Sequence, residues 1–150
     1  MSTRFAQIQD TPKLTDLLLE FGREARVGFR SARNQDHQRL SRMLGIWMRD
    51  HYVRVAEHNT EIVGLLVAER GQDFWDPERR ILQERVWYVC PEHRHSRVSA
   101  RLWSAWQQDS DQYVKTGTVD MVIMSTQGPT TQFDPGHRGW RLIEQTWIKE

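Results

Sequence analysis

Val86-Trp87-Tyr88-Val89-Cys90-Pro91-Glu92-His93-Arg94-His95-Ser96-Arg97-Val98-Ser99-Ala100-Arg101-Leu102-Trp103 passes from a buried strand, through a turn marked by proline, into a basic helix start. The first turn of a helix leaves backbone N–H groups without intrahelical partners, and the aligned peptide dipoles place partial positive charge there. An anion is therefore favoured at that end, and phosphate is its commonest biological form. Arg97 and Arg101 are four apart and share a helix face, whereas Arg94 belongs to the turn before it. A plainer reading makes Ser96 the N-cap and the arginines a solvated basic face. The order of strand, Pro91, Arg94 and helix favours a phosphate-holding turn.

Towards the N-terminus, residues 81–90 read as that strand, preceded by a loop over 71–79 that is polar except for Phe74 and Trp75. The aromatic pair is expected to fold back over its own core. Residues 52–57 and 61–69 are strand-like runs separated by His58-Asn59-Thr60, which predicts a hairpin. Leu40, Met43, Leu44 and Trp47 share one face of a helix over 36–49, and residues 28–35 are polar and irregular. Asp10-Thr11-Pro12 opens an earlier helix carrying Leu14, Leu17, Leu18 and Phe21, after a first strand over 4–8. Towards the C-terminus a helix over 97–113 ends near Gly117 as a C-cap, and 119–124 is a buried strand. Two prolines and three glycines over 128–139 allow only a short or broken helix, and 140–149 is a final strand.

The 150 residues are expected to form one domain, 1–150, with a real core. Twenty-one Lys and Arg against 20 Asp and Glu leave a charge of +1, too balanced to point to nucleic acid. The lone Cys90 cannot form an internal disulfide, and beside Pro91 it reads as a small core hydrophobe rather than a nucleophile. No apolar run approaches the roughly 20 residues of a membrane span. The start Met1-Ser2-Thr3-Arg4-Phe5 lacks a secretory hydrophobic segment, so the expectation is a soluble cytoplasmic protein without membrane partners. Trp47, Trp87, Trp103, Trp106 and Trp140 fall in half-buried segments and are read as core, with a homodimer left open.

The quoted stretch resembles the pyrophosphate-binding motif of the GNAT superfamily of N-acetyltransferases, Arg-x-x-Gly-x-Gly after a strand that ends in a hydrophobic pair and proline. Arg94 matches the arginine, while Arg97 and Ser99 stand at the glycines. Glycine permits positive φ and close approach of backbone to ligand, so the replacements weaken the match. The order of elements also matches, and Gly139-Trp140 stands for the family's Gly-Phe. The resemblance implies an α/β (α+β) fold: a mixed, mostly antiparallel sheet of about six strands, the fourth and fifth splayed apart, with three to four flanking helices. It implies acetyl-CoA as cosubstrate and a primary amine, on a small molecule or protein, as acceptor. Val89 and Cys90 would make main-chain contacts beside the thioester, and Arg94 with His95, Ser96, Arg97, Val98, Ser99 and Ala100 would hold the pyrophosphate. Loss of both glycines looks like divergent members encoded by bacteriophages, which would work in the host cytoplasm.

The resemblance implies a carboxylate base on the fourth strand. Glu84 is the only acidic residue there, although Gln83 is the better positional match, and neighbours on a strand face opposite ways. The alternative is a rim carboxylate paired with arginine. The family's usual acid, a tyrosine, falls at Pro135; Tyr88 and Tyr113 lie on the wrong elements, and Asp134 and His137 are the nearby substitutes. Cys90, His93 and His95 do not complete a zinc set, so no metal is expected. A nucleophile elbow and a Walker-type loop are absent. The competing reading is an inactive module of the same fold that binds a host protein or serves as scaffold.

Overall fold

The structure, a computed structural model, describes residues 1–24, 37–125 and 139–141. Ile62 to Ala68 is an unbroken buried run, which is what a strand covered on both faces requires. It lies in β3 (Glu61–Gln72), the middle of a five-stranded sheet ordered β1-β2-β3-β4-β5. The other strands are β1 (Ser2–Phe5), β2 (Tyr52–His58), β4 (Arg80–Val89) and β5 (Met121–Ile123). All neighbours are antiparallel except β4 and β5, which are parallel. This is the mixed, mostly antiparallel architecture expected, with five of the about six strands falling among the described residues. The expected strand over 140–149 and broken helix over 128–138 lie outside the described residues, apart from Trp140 and Arg141.

Among the described residues three helices flank the sheet: α1 (Thr11–Glu24), α2 (His37–Asp50) and α3 (Val98–Lys115). α3 covers one face, where Trp106 is fully buried and its ring meets Tyr52 edge-on at 5.2 Å. Also on this face, Trp103 stacks on Trp87 at 6.0 Å, and Trp140 lies 5.9 Å from Trp103. α1 and α2 cover the other face, with Phe21 edge-on to Tyr88 at 6.1 Å. The five tryptophans expected as core are all buried or half-buried.

The hairpin forms as expected, turning at Asn59 (φ 49°) and Thr60 (φ 69°), the pair of left-handed residues that a two-residue turn matched to strand twist demands. The first strand ends earlier than expected, at Phe5, because Ile8–Asp10 closes into a 3-10 turn. There Asp10 accepts the Gln7 N–H and two bonds from Arg4, at 2.7 and 3.0 Å. The loop over Asp73–Arg79 corrects a second expectation: Phe74 and Trp75 do not fold back. They are 84% and 88% exposed, packed edge-on against each other at 4.8 Å.

Candidate functional site

The fourth strand carries a β-bulge, and the bulge aims its carboxylate. Ala68 pairs with Glu84 and Val67 with Val86, so Arg85 is the extra residue. Arg85 turns outward to Glu69 at 2.9 Å, while Glu84 stays on the buried side with Leu82. The parallel ladder to β5 ends one residue earlier, at Gln83 opposite Ile123. Glu84 is thus the first residue past the point where the two strands stop pairing. Only 7% of it is exposed, and the Ser125 N–H donates to its Oε2 at 3.2 Å. Burial pushes the carboxyl up to about 7 from 4.5, against the opposing pull of that N–H and of Arg85. Gln83 takes the register position facing Ile123 and is half-buried.

At the other end of β4 the main chain changes partners. The Cys90 N–H donates to Val63 O at 2.9 Å, so the Gly64–Val89 pair is of the non-hydrogen-bonded kind and Val89 directs its own N–H and C=O away from β3. Those groups face the side from which β5 has withdrawn. Cys90 differs from the expectation here, since its carbonyl also accepts the His93 N–H at 2.9 Å and both its main-chain groups are satisfied. Gly64 lets strand and helix come close at this place: a Cβ on it would lie 3.0 Å from Tyr88 O and 3.2 Å from Leu102 Cδ1.

Pro91–His93 forms a second 3-10 turn, and α3 begins at Val98. The Ser96 N–H is used by His93 O at 3.1 Å and the Val98 N–H by Ser96 Oγ at 3.2 Å. Two members of the expected pyrophosphate set are therefore spent internally. Among the described residues the N–H groups of His95, Arg97, Ser99 and Ala100 have no partner, and Arg97 is exposed beside them. Arg101 is exposed and donates to Met1 O at 2.7 Å. Arg94 bends back instead: its Nε–H donates to Val89 O at 2.8 Å, Nη2 meets Glu24 at 2.5 Å, and the guanidinium lies 5.4 Å from the Tyr88 ring centre.

Between α1 and the end of β4 lies a cleft of about 350 Å³, lined by Lys13, Glu20, Arg23, Glu24, Tyr88, Cys90, Pro91 and Glu92. The Tyr88 hydroxyl is within reach of Glu24 at 3.2 Å and of Glu20 at 3.3 Å. Burial and the two carboxylates push this phenol above its ordinary range. Sequence reasoning passed over Glu20 and Glu24; their spacing of one helical turn was the available sign. Asp134, Pro135 and His137 lie outside the described residues. Among the described residues no three His, Cys, Asp or Glu side chains converge as metal ligands, and no helix is long and apolar enough to cross a membrane.

The residues present fit a coenzyme A arm and diphosphate: an outward-facing strand end, a parting of parallel strands, and open amides at a helix start. The sequence matches no protein-family model and no curated protein. Solved structures match over nearly the whole chain. A possible acetyltransferase from Clostridium difficile 630 superposes with a TM-score of 0.70 at 12% identity, covering 99% of this chain and 96% of that one. A Trypanosoma brucei acetyltransferase gives 0.69 at 16% identity, with 99% and 98% covered. A GNAT family acetyltransferase from Staphylococcus aureus gives 0.64 at 14% identity, with 99% and 97% covered. At these identities the likeness is one of fold.

Proposed function

We propose, for a chain that carries the acetyltransferase fold, an N-acyltransferase activity that moves an acetyl group from acetyl-CoA to a primary amine of a small molecule or protein in the cytoplasm. The observation that supports it most is Glu84, buried where two parallel strands part and poised near neutral pH. A carboxylate there can take the proton of an ammonium nucleophile, directly or through water, at physiological pH. The bound coenzyme supplies an activated acyl carbon. The ammonium proton passes to Glu84, the freed amine nitrogen attacks that carbon, the carbon–sulfur bond breaks, and a second nitrogen proton goes to the departing thiolate, so that amide and free thiol leave. Val89 offers main-chain groups along the strand edge, and the amides of His95, Arg97, Ser99 and Ala100, with the Arg94 and Arg97 charges, hold the diphosphate.

Thermal stability with and without acetyl-CoA tests the binding half. Ligand at 100 times its dissociation constant stabilises by about 2.7 kcal/mol, and Arg97→Ala shrinks the shift. No shift at millimolar coenzyme overturns the proposal. Release of free thiol with an amine panel tests the catalytic half. Glu84→Gln lowers kcat by about 10²- to 10⁴-fold and removes a limb in which the rate rises with pH through about 7. One observation favours a second reading, an inactive module of this fold that serves as scaffold or binds a host protein: Arg94 already covers the Val89 carbonyl. A protein that acetyl-CoA stabilises but that releases no thiol with any amine supports it.

A further inference from the structure

We infer that the Arg94–Glu24 ion pair is a latch across the coenzyme turn, closed in the free protein and opened when coenzyme draws Arg94 away. The inference rests on the coenzyme-binding reading above and goes beyond it, because it makes helix α1 a determinant of coenzyme affinity.

Three contacts hold Arg94 in the closed position, two from the end of β4 and one from α1. The Val89 carbonyl at the end of β4 takes Nε, the Tyr88 ring supports the guanidinium plane, and Glu24 in the last turn of α1 takes Nη2. A guanidinium presents its donors in one plane, so these contacts fix its direction as well as its position. That direction is backwards, along the strand and away from the open amides of His95 and Arg97. A diphosphate at those amides needs the same cation, and one guanidinium does not serve both places. Opening frees two groups at once. The Val89 carbonyl returns to the strand edge, and the Glu24 carboxylate, which already meets the Tyr88 hydroxyl in the cleft, loses its cation. The coenzyme side and the cleft side of the molecule thereby share one charge.

The ion-pair side chains are 41% and 42% exposed, so the pair is a solvent-screened one. Such pairs contribute about 0.2–1 kcal/mol, which sets the expected effect at no more than about fivefold in affinity. The experiment is titration calorimetry of the full chain with acetyl-CoA. Glu24→Gln tightens binding about two- to fivefold, and Arg94→Ala weakens it. In the Arg94→Ala background Glu24→Gln then has no effect. Glu20→Gln, which removes the same charge one turn away, changes the affinity less than Glu24→Gln does. Equal tightening by Glu24→Gln with and without Arg94, or by Glu20→Gln, shows general relief of charge repulsion and overturns the latch. Unchanged affinity in Glu24→Gln overturns it too, while leaving the coenzyme site intact. Binding by neither the parent nor Glu24→Gln overturns the coenzyme reading and the latch with it.

Discussion

Gly64 and Glu84 lie on facing strands, four β3 residues apart in register, and each answers a different question about a single side chain. A methyl group added at Gly64 meets the Tyr88 carbonyl, Val89 Cγ2 at 3.1 Å and a Leu102 methyl at once. The carbonyl belongs to the ladder and cannot rotate away. Gly64→Ala is expected to lower stability by about 1–3 kcal/mol, read as a drop in the denaturant midpoint at constant slope. Glu84 carries its cost in charge. Its carboxyl rises to about 7 in the folded protein against 4.5 ordinarily, so the native state holds the proton more tightly than the unfolded chain. The sign follows: stability falls as pH rises from about 4.5 to about 7, and the full penalty remains above that. Glu84→Gln is therefore expected to be more stable than the parent by about 1–3 kcal/mol at pH 8, with the difference vanishing near pH 4. Equal stability of the two at pH 8 would show an ionised carboxylate well solvated. The sequence identified Glu84 as the only acid on its strand but not its direction. Strict alternation opposes it to Gln83, and what decides its surroundings is the bulge at Arg85, which residue type alone does not announce.

Elements were more legible than sites wherever local chemistry settles the backbone. Asp10-Thr11-Pro12 marks the start of α1, and the structure shows why: Asp10 accepts the Gln7 N–H while Arg4 of β1 grips the same carboxylate. That grip holds the Asp10 carboxyl below its ordinary 3.8. Asp10→Asn should cost about 1–2 kcal/mol at pH 7. The deficit should shrink as pH falls below 3.8 and the parent's own carboxylate takes up its proton, as comparative unfolding at pH 7 and pH 2.5 can establish. Gly117 was also readable as a helix stop. Its φ of +66°, with Thr118 N–H donating to Tyr113 O and Gly117 N–H to Val114 O, makes the doubly bonded end that glycine permits. Gly117→Ala is expected to lower stability by about 1 kcal/mol. The loop between β3 and β4 was misread for a physical reason. Asp73 closes it through Arg79 O and caps the Trp75 N–H, and Asp76 caps the Glu78 N–H. A loop that satisfies its own backbone beyond the end of the sheet has no core within reach, so Phe74 and Trp75 stay in water. The Arg94–Glu24 pair was not readable in the sequence, because the two residues lie 70 positions apart in the chain.

At the scale of the molecule the order of strands and helices was legible, because the continuous apolar runs in 62–68 and 86–90 read as central strands and the helices before and after them supply the two covering layers. The geometry of the parting strands was not. It depends on how far β5 runs beside β4, and a three-residue strand leaves little pattern to read. Exposure is similarly a property of the whole: replacing Trp75 with Ser should move stability by less than about 0.5 kcal/mol while removing the indole that, among the described residues, is most open to acrylamide quenching. The brevity of the β4–β5 ladder carries a further consequence. Three register pairs hold β5, whereas β3 is paired on both sides from Gly64 to Ala68. In heavy water the amides of Val122 and Ile123 should take up deuterium through a small local opening, with those of Leu65 and Leu66 waiting for global unfolding. The molecule would thus breathe first along its parallel seam.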